Sequence, residues 1–87
     1  MTLNITLSAL SEPTRRRVLE LLKRKDMTVT ELNQYFDITM PSLSHHLSVL
    51  KQAGLVTFRR RKQELVYSLN LSVFEEMAEK LIKFFKK

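Results

Sequence analysis

The residues in this chain that could do chemistry are cations, small hydroxyls and a pair of adjacent histidines. Between Asp37 and Glu64 lie 26 residues without a carboxylate, and they carry Lys51, Arg59, Arg60, Arg61, Lys62, His45 and His46. A phosphate-facing surface needs such a window, because one misplaced carboxylate repels a nucleic-acid backbone. Basic runs elsewhere, such as Arg15-Arg16-Arg17 and Lys23-Arg24-Lys25, read first as solvated faces. For at least one of the first three arginines, pairing with Glu12 or Glu20 is expected.

Other chemistries are poorly served. Cys 0 removes disulfides and thiolate ligands, and Gly 1 removes glycine-rich phosphate loops. His45 and His46 diverge by about a quarter turn on a helix, too far to chelate one ion readily. With no metal set and no paired carboxylates placed in a cleft, an enzyme is not expected, and neither is a cofactor. The 87 residues suit one domain spanning 1–87, and a chain this small gains from a partner subunit. No apolar run reaches the roughly 18 residues of a membrane span. Polar Thr2, Asn4, Thr6 and Ser8 interrupt the N-terminus where a signal peptide would be apolar, so a soluble cytoplasmic protein without membrane insertion is expected. A net charge of +6 and a pI of about 10.0 favour an anionic partner.

The elements that would position these residues can be read from caps and periods. The loose alternation of Leu3, Ile5, Leu7 and Leu10 fits either a strand or a helix over residues 2–10, and a short helix is the expectation. A second helix starts with Ser11 as cap and Pro13 in the first turn, buries Val18, Leu19, Leu21 and Leu22, and ends near Asp26. Thr28 and Glu31 are spaced as a capping box for a third helix, which stops at Asp37. Thr39 caps a fourth over about 40–53, closed by Gly54. Its Leu43, Leu47 and Leu50 share one side, flanked by Met40 and His46, while Pro41, Ser44, His45, Ser48 and Gln52 face the other, with Ser42 and Lys51 at its edges. Small hydroxyls and an imidazole can approach base edges and phosphates closely.

After Gly54 the period becomes 2, giving strands around Val56–Phe58 and Leu65–Leu69 that bracket a cationic tip at 59–64. Such a tip suits a minor groove or its flanking phosphates. Ser72 and Glu75 are spaced as a capping box for a last helix to the C-terminus, with Phe74, Met77, Ala78, Leu81, Ile82, Phe84 and Phe85 covering more than one face. The fold class is therefore mainly α with a β-hairpin, a winged helix-turn-helix of four helices, a wing and a fifth helix.

Four segments carry a resemblance. Leu10-Ser11-Glu12-Pro13-Thr14-Arg15-Arg16, Ser44-His45-His46-Leu47 with Leu50, Gly54-Leu55-Val56, and Arg59-Arg60 followed by Tyr67-Ser68-Leu69 are similar, in order and spacing, to the ArsR/SmtB family of bacterial repressors. Within it the chain most resembles the SdpR-like autorepressors, a subgroup without a metal site. The resemblance implies a dimeric transcriptional repressor that binds a double-stranded, near-palindromic operator. The fourth helix would enter the major groove, and the wing would lie on the minor groove or phosphates.

Carried over by position, the DNA-facing residues are Met40, Pro41, Ser42, Ser44, His45 and Arg59 to Lys62; Thr39, Ser48 and Lys51 complete the expected set. The resemblance also implies a homodimer through the terminal helices, with Leu3, Ile5, Leu7, Phe74, Met77, Ala78, Leu81, Ile82, Phe84 and Phe85 at the interface. The family's thiol and Asp/His/Glu metal sets are missing from residues 29–36 and 72–87; the resemblance to SdpR-like autorepressors implies release from DNA by a protein partner, the alternative being that no inducing ligand exists. Lys62 stands where a wing glycine is common. The competing reading is a winged-helix protein-interaction module whose basic wing docks an acidic partner, but residues 41–48 lack the aromatic anchors of a protein hot spot.

Overall fold

Pro13 opens the second helix, and Glu12 caps it. A computed structural model describes residues 3–86, with α1 at Leu3–Leu10 and α2 at Pro13–Arg24. The two carboxylate oxygens of Glu12 accept the N–H groups of Thr14 at 3.1 Å and Arg15 at 3.2 Å. Ser11, the expected cap, instead donates its hydroxyl to the Ser8 carbonyl at 2.6 Å and finishes α1. A carboxylate outcompetes a hydroxyl here because it satisfies two orphan donors and places a negative charge at the helix N-terminus.

Met27–Thr28 form β1, a two-residue strand that the sequence reading lacks, and Val29–Asn33 form α3. The capping box closes as expected, with Thr28 Oγ1 accepting Glu31 N–H at 3.1 Å and Thr28 N–H donating to the Glu31 carboxylate at 2.9 Å. Replacing Thr28 with alanine should cost about 1 kcal/mol. In a domain of this size that lowers Tm by roughly 4–8 °C in a thermal melt. The helix stops at Asn33 rather than Asp37 because the Asn33 amide turns to the Ile38 carbonyl at 3.2 Å and stabilises an irregular turn.

α4 spans Met40–Gln52, with Thr39 Oγ1 accepting Ser42 N–H at 3.2 Å. It ends in paired bonds, Gly54 N–H to the Lys51 carbonyl at 2.9 Å and Leu55 N–H to the Leu50 carbonyl at 3.0 Å. Gly54 takes φ 76°, the left-handed conformation this Schellman ending requires. Leu43, Leu47 and Leu50 are fully buried and meet Val18, Leu21, Leu22, Leu32 and Leu55 in one core.

β2 covers Val56–Arg61 and β3 covers Glu64–Leu69, paired antiparallel from Val56 opposite Leu69 to Arg61 opposite Glu64. β1 pairs with the far edge of β3, Met27 opposite Tyr67, so the expected hairpin is two strands of a three-stranded sheet ordered β1-β3-β2. The expected tip at 59–64 is also shorter, because the strands run through the arginines and only Lys62 and Gln63 turn. Lys62 holds φ 60°, a conformation glycine would take more cheaply at the first position of a two-residue hairpin turn.

α5, Leu71–Phe85, follows at once, but the Ser72 and Glu75 capping box does not form. Ser72 lies inside the first turn. Asn70 occupies the cap position, and its amide donates to the Gly54 carbonyl at 2.9 Å, tying the end of β3 to the end of α4. No residue of α5 is buried. The longest dimension is 48 Å, and the radius of gyration is 13.7 Å. A compact chain of this length would give about 12 Å.

Candidate nucleic-acid interface

Burial of Leu43, Leu47 and Leu50 fixes the rotation of α4 and turns Pro41, Ser42, Ser44, His45, Ser48 and Lys51 outward. All six are exposed. Met40, at the apolar edge of the helical wheel in the first turn, is 41% exposed. Thr39 is also exposed, but its hydroxyl is held by the cap. His46 leaves this face: it is half-buried on the inward flank, with Nδ1 3.4 Å from Glu12 and 3.2 Å from Arg15.

Wing and helix are joined by a contact between them, with Lys51 Nζ 4.9 Å from the Phe58 ring centre. Phe58 in turn packs edge-on against Tyr67. The wing cations are not equivalent. Arg59 reaches Asp26 Oδ2 at 3.1 Å, and Arg61 lies 3.8 Å from Glu64. Among the described residues, Arg60 and Lys62 have no ion-pair partner. The two pairs are solvent-exposed, a situation worth about 0–1 kcal/mol, so a phosphate could displace either carboxylate. Asp26 is the residue that sequence reasoning missed, because β1 is too short to show a period and only the fold brings it to the wing.

The first arginine run is divided by the structure. Arg17 pairs with Glu20 at 3.6 Å, as expected for one member. Arg16 donates to the Leu10 carbonyl at 2.7 Å, and Arg15 Nε to the Ala9 carbonyl at 2.8 Å. These bonds satisfy carbonyls at the end of α1 that would otherwise lack partners.

Partial burial pushes the Glu12 carboxyl up, but the Thr14 and Arg15 N–H bonds and the neighbouring His46 outweigh it and hold the group below its ordinary value. A carboxyl lowered in the folded state stabilises above its unfolded pKa and loses that contribution as pH falls through its folded value. Glu12→Gln should therefore flatten part of the acid limb of stability against pH, measured by urea unfolding.

At the expected interface positions, Ile5 is 51%, Leu7 47%, Leu81 39%, Ile82 57% and both Phe84 and Phe85 78% exposed. Ala78 is exposed, Met77 is half-buried, and Phe74 packs partly on the protomer core. The Leu3 side chain lies outside the described residues.

Residues 12–57, which contain α2 to α4 and the start of the wing, match the family described as bacterial regulatory protein, arsR family. The chain belongs to the ArsR family. It is 41% identical to the transcriptional repressor SdpR of Bacillus subtilis (strain 168) over 98% of this chain and 94% of that one. An arsenical resistance operon repressor of Staphylococcus aureus is 30% identical over 91% of this chain and 76% of its own length. Among solved structures, the ArsR family transcriptional regulator RHA00566 superposes with a TM-score of 0.79 at 29% identity, covering 98% of each chain. The ArsR-family chain is thus a regulator with a winged helix-turn-helix fold, not an enzyme. Among its described residues, no group of three or more His, Cys, Asp or Glu is placed to hold a metal ion.

Proposed function

We propose that the chain, a single domain over residues 1–87, acts as a cytoplasmic homodimer that represses transcription, including its own, by binding a near-palindromic operator. The observation that carries this reading is the exposed, acid-free outer face of α4, joined through Lys51 and Phe58 to a wing whose Arg60 and Lys62 have no ion-pair partner among the described residues. Met40, Pro41, Ser42, Ser44, His45 and Ser48 meet the major groove, and Thr39 marks the helix start nearest the backbone. Arg59 to Lys62 and Lys51 neutralise phosphates or enter the minor groove. α1 and α5 pair with those of a second copy, which spaces two α4 helices about 34 Å apart on successive major grooves. Release comes from a protein partner rather than a metal, in keeping with the lack of thiol and Asp/His/Glu ligand sets.

Selection of bound sequences from random duplex DNA, followed by salt titration on the enriched duplex, tests this directly. An enriched inverted repeat and a steep negative slope of log affinity against log salt are expected. No slope on duplex DNA would end the reading.

A further inference from the structure

Arg15 stands at a junction of three elements that none of the DNA-facing roles uses. It is half-buried, at the start of α2. Its guanidinium faces two ways. On one side Nε donates to the Ala9 carbonyl at 2.8 Å and Nη2 approaches the Ser8 carbonyl at 3.4 Å, both at the end of α1. On the other, Nη1 lies 3.2 Å from Nδ1 of His46 on the inward flank of α4. Glu12 closes the cluster, with its Oε2 3.4 Å from the same Nδ1 and hydrogen-bonded to the Arg15 N–H. One ring nitrogen therefore confronts a donor from Arg15 and an acceptor from Glu12. A bare Nδ1 accepts from Arg15, and a protonated Nδ1 donates to Glu12.

We infer that Arg15 and His46 are positioning residues that fix the recognition helix against the end of α1, and so against the dimer axis, without touching DNA. The inference rests on the operator-binding reading of α4 and α1 above. Its physical basis is the rigidity of the fork: a guanidinium presents donors in fixed directions, so carbonyls on α1 and a nitrogen on α4 bound to one such plane cannot rotate independently. His46 is one residue from His45, so a small rotation of α4 about its axis moves the whole outward face. A dimer reading two half-sites is sensitive to such a rotation, whereas attraction to the phosphate backbone is not.

The test uses the full chain, the duplex enriched by the wild-type protein, and a random-sequence duplex of equal length. His46→Leu should lower affinity for the enriched duplex about tenfold, the scale of losing a hydrogen bond to a charged group. Its affinity for the random duplex and its salt slope should stay at wild-type values. His46→Asn, which can return an oxygen acceptor near the position of Nδ1, should recover most of that loss. Arg15→Gln should match His46→Leu, and the double variant should be no worse than either single one. If Arg15→Gln fails to fold because α1 loses its cap, the two His46 variants still decide. Enriched-duplex affinity within twofold of wild type in His46→Leu overturns the inference, as does equal loss on both duplexes. A lower salt slope in Arg15→Gln would make Arg15 a phosphate contact and also overturn it. A wild-type chain that enriches no sequence and shows no salt slope removes the operator-binding reading itself, which the variants cannot do.

Discussion

Phe85→Glu should convert the protein to a folded monomer and cut operator affinity by at least about a hundredfold, the scale on which linked binding exceeds single binding. The aromatic ring is 78% exposed in the protomer, so the substitution costs the isolated fold little. Across a two-fold axis the same change enters twice. In the proposed dimer each copy loses roughly 1.5–3 kcal/mol of side-chain burial and confronts a carboxylate with an apolar surface. Leu81→Glu should act in the same direction with more damage to the fold, since that side chain is only 39% exposed. Sedimentation gives the mass and far-UV circular dichroism the helix content. A dimer of unchanged mass in Phe85→Glu would remove α5 from the interface.

The terminal helix also shows what can and cannot be read from sequence. Its apolar residues announce a helix with too much apolar surface for its own protomer, and the structure leaves it without a buried residue. Its start is a different matter. Thr28 with Glu31 and Ser72 with Glu75 carry the same spacing, yet only the first forms a capping box. What separates them is the bond from Asn70 to Gly54, sixteen residues away, which sets where β3 ends and so where α5 begins. Caps and periods are local signals, and they place α2, α4 and the wing strands to within a residue or a few. Contacts between distant segments leave no such trace. The pairing of Arg59 with Asp26, the strand that brings Asp26 there, and the reach of Arg15 from α1 to α4 all depend on packing that no single segment encodes.

Substitutions on the wing and on α4 should separate into two kinds of loss. Arg60→Ala removes a cation that has no ion-pair partner among the described residues, so it should weaken binding to every duplex alike. The slope of log affinity against log salt should become shallower by about 0.9, one phosphate equivalent. Arg59→Ala should give a smaller change in slope, because Arg59 must leave Asp26 at 3.1 Å before it can serve a phosphate. Ser44→Ala and His45→Ala should leave the slope alone and instead narrow the ratio of enriched-duplex to random-duplex affinity. The expected size is about 1–3 kcal/mol for a lost base contact. The contrast follows from geometry, since His45 and Ser44 project from the acid-free face of a helix whose other side is locked into the core by Leu43 and Leu47. If His45→Ala and Ser44→Ala both changed the slope and left the ratio intact, α4 would be a phosphate-binding element and sequence reading would have to lie elsewhere.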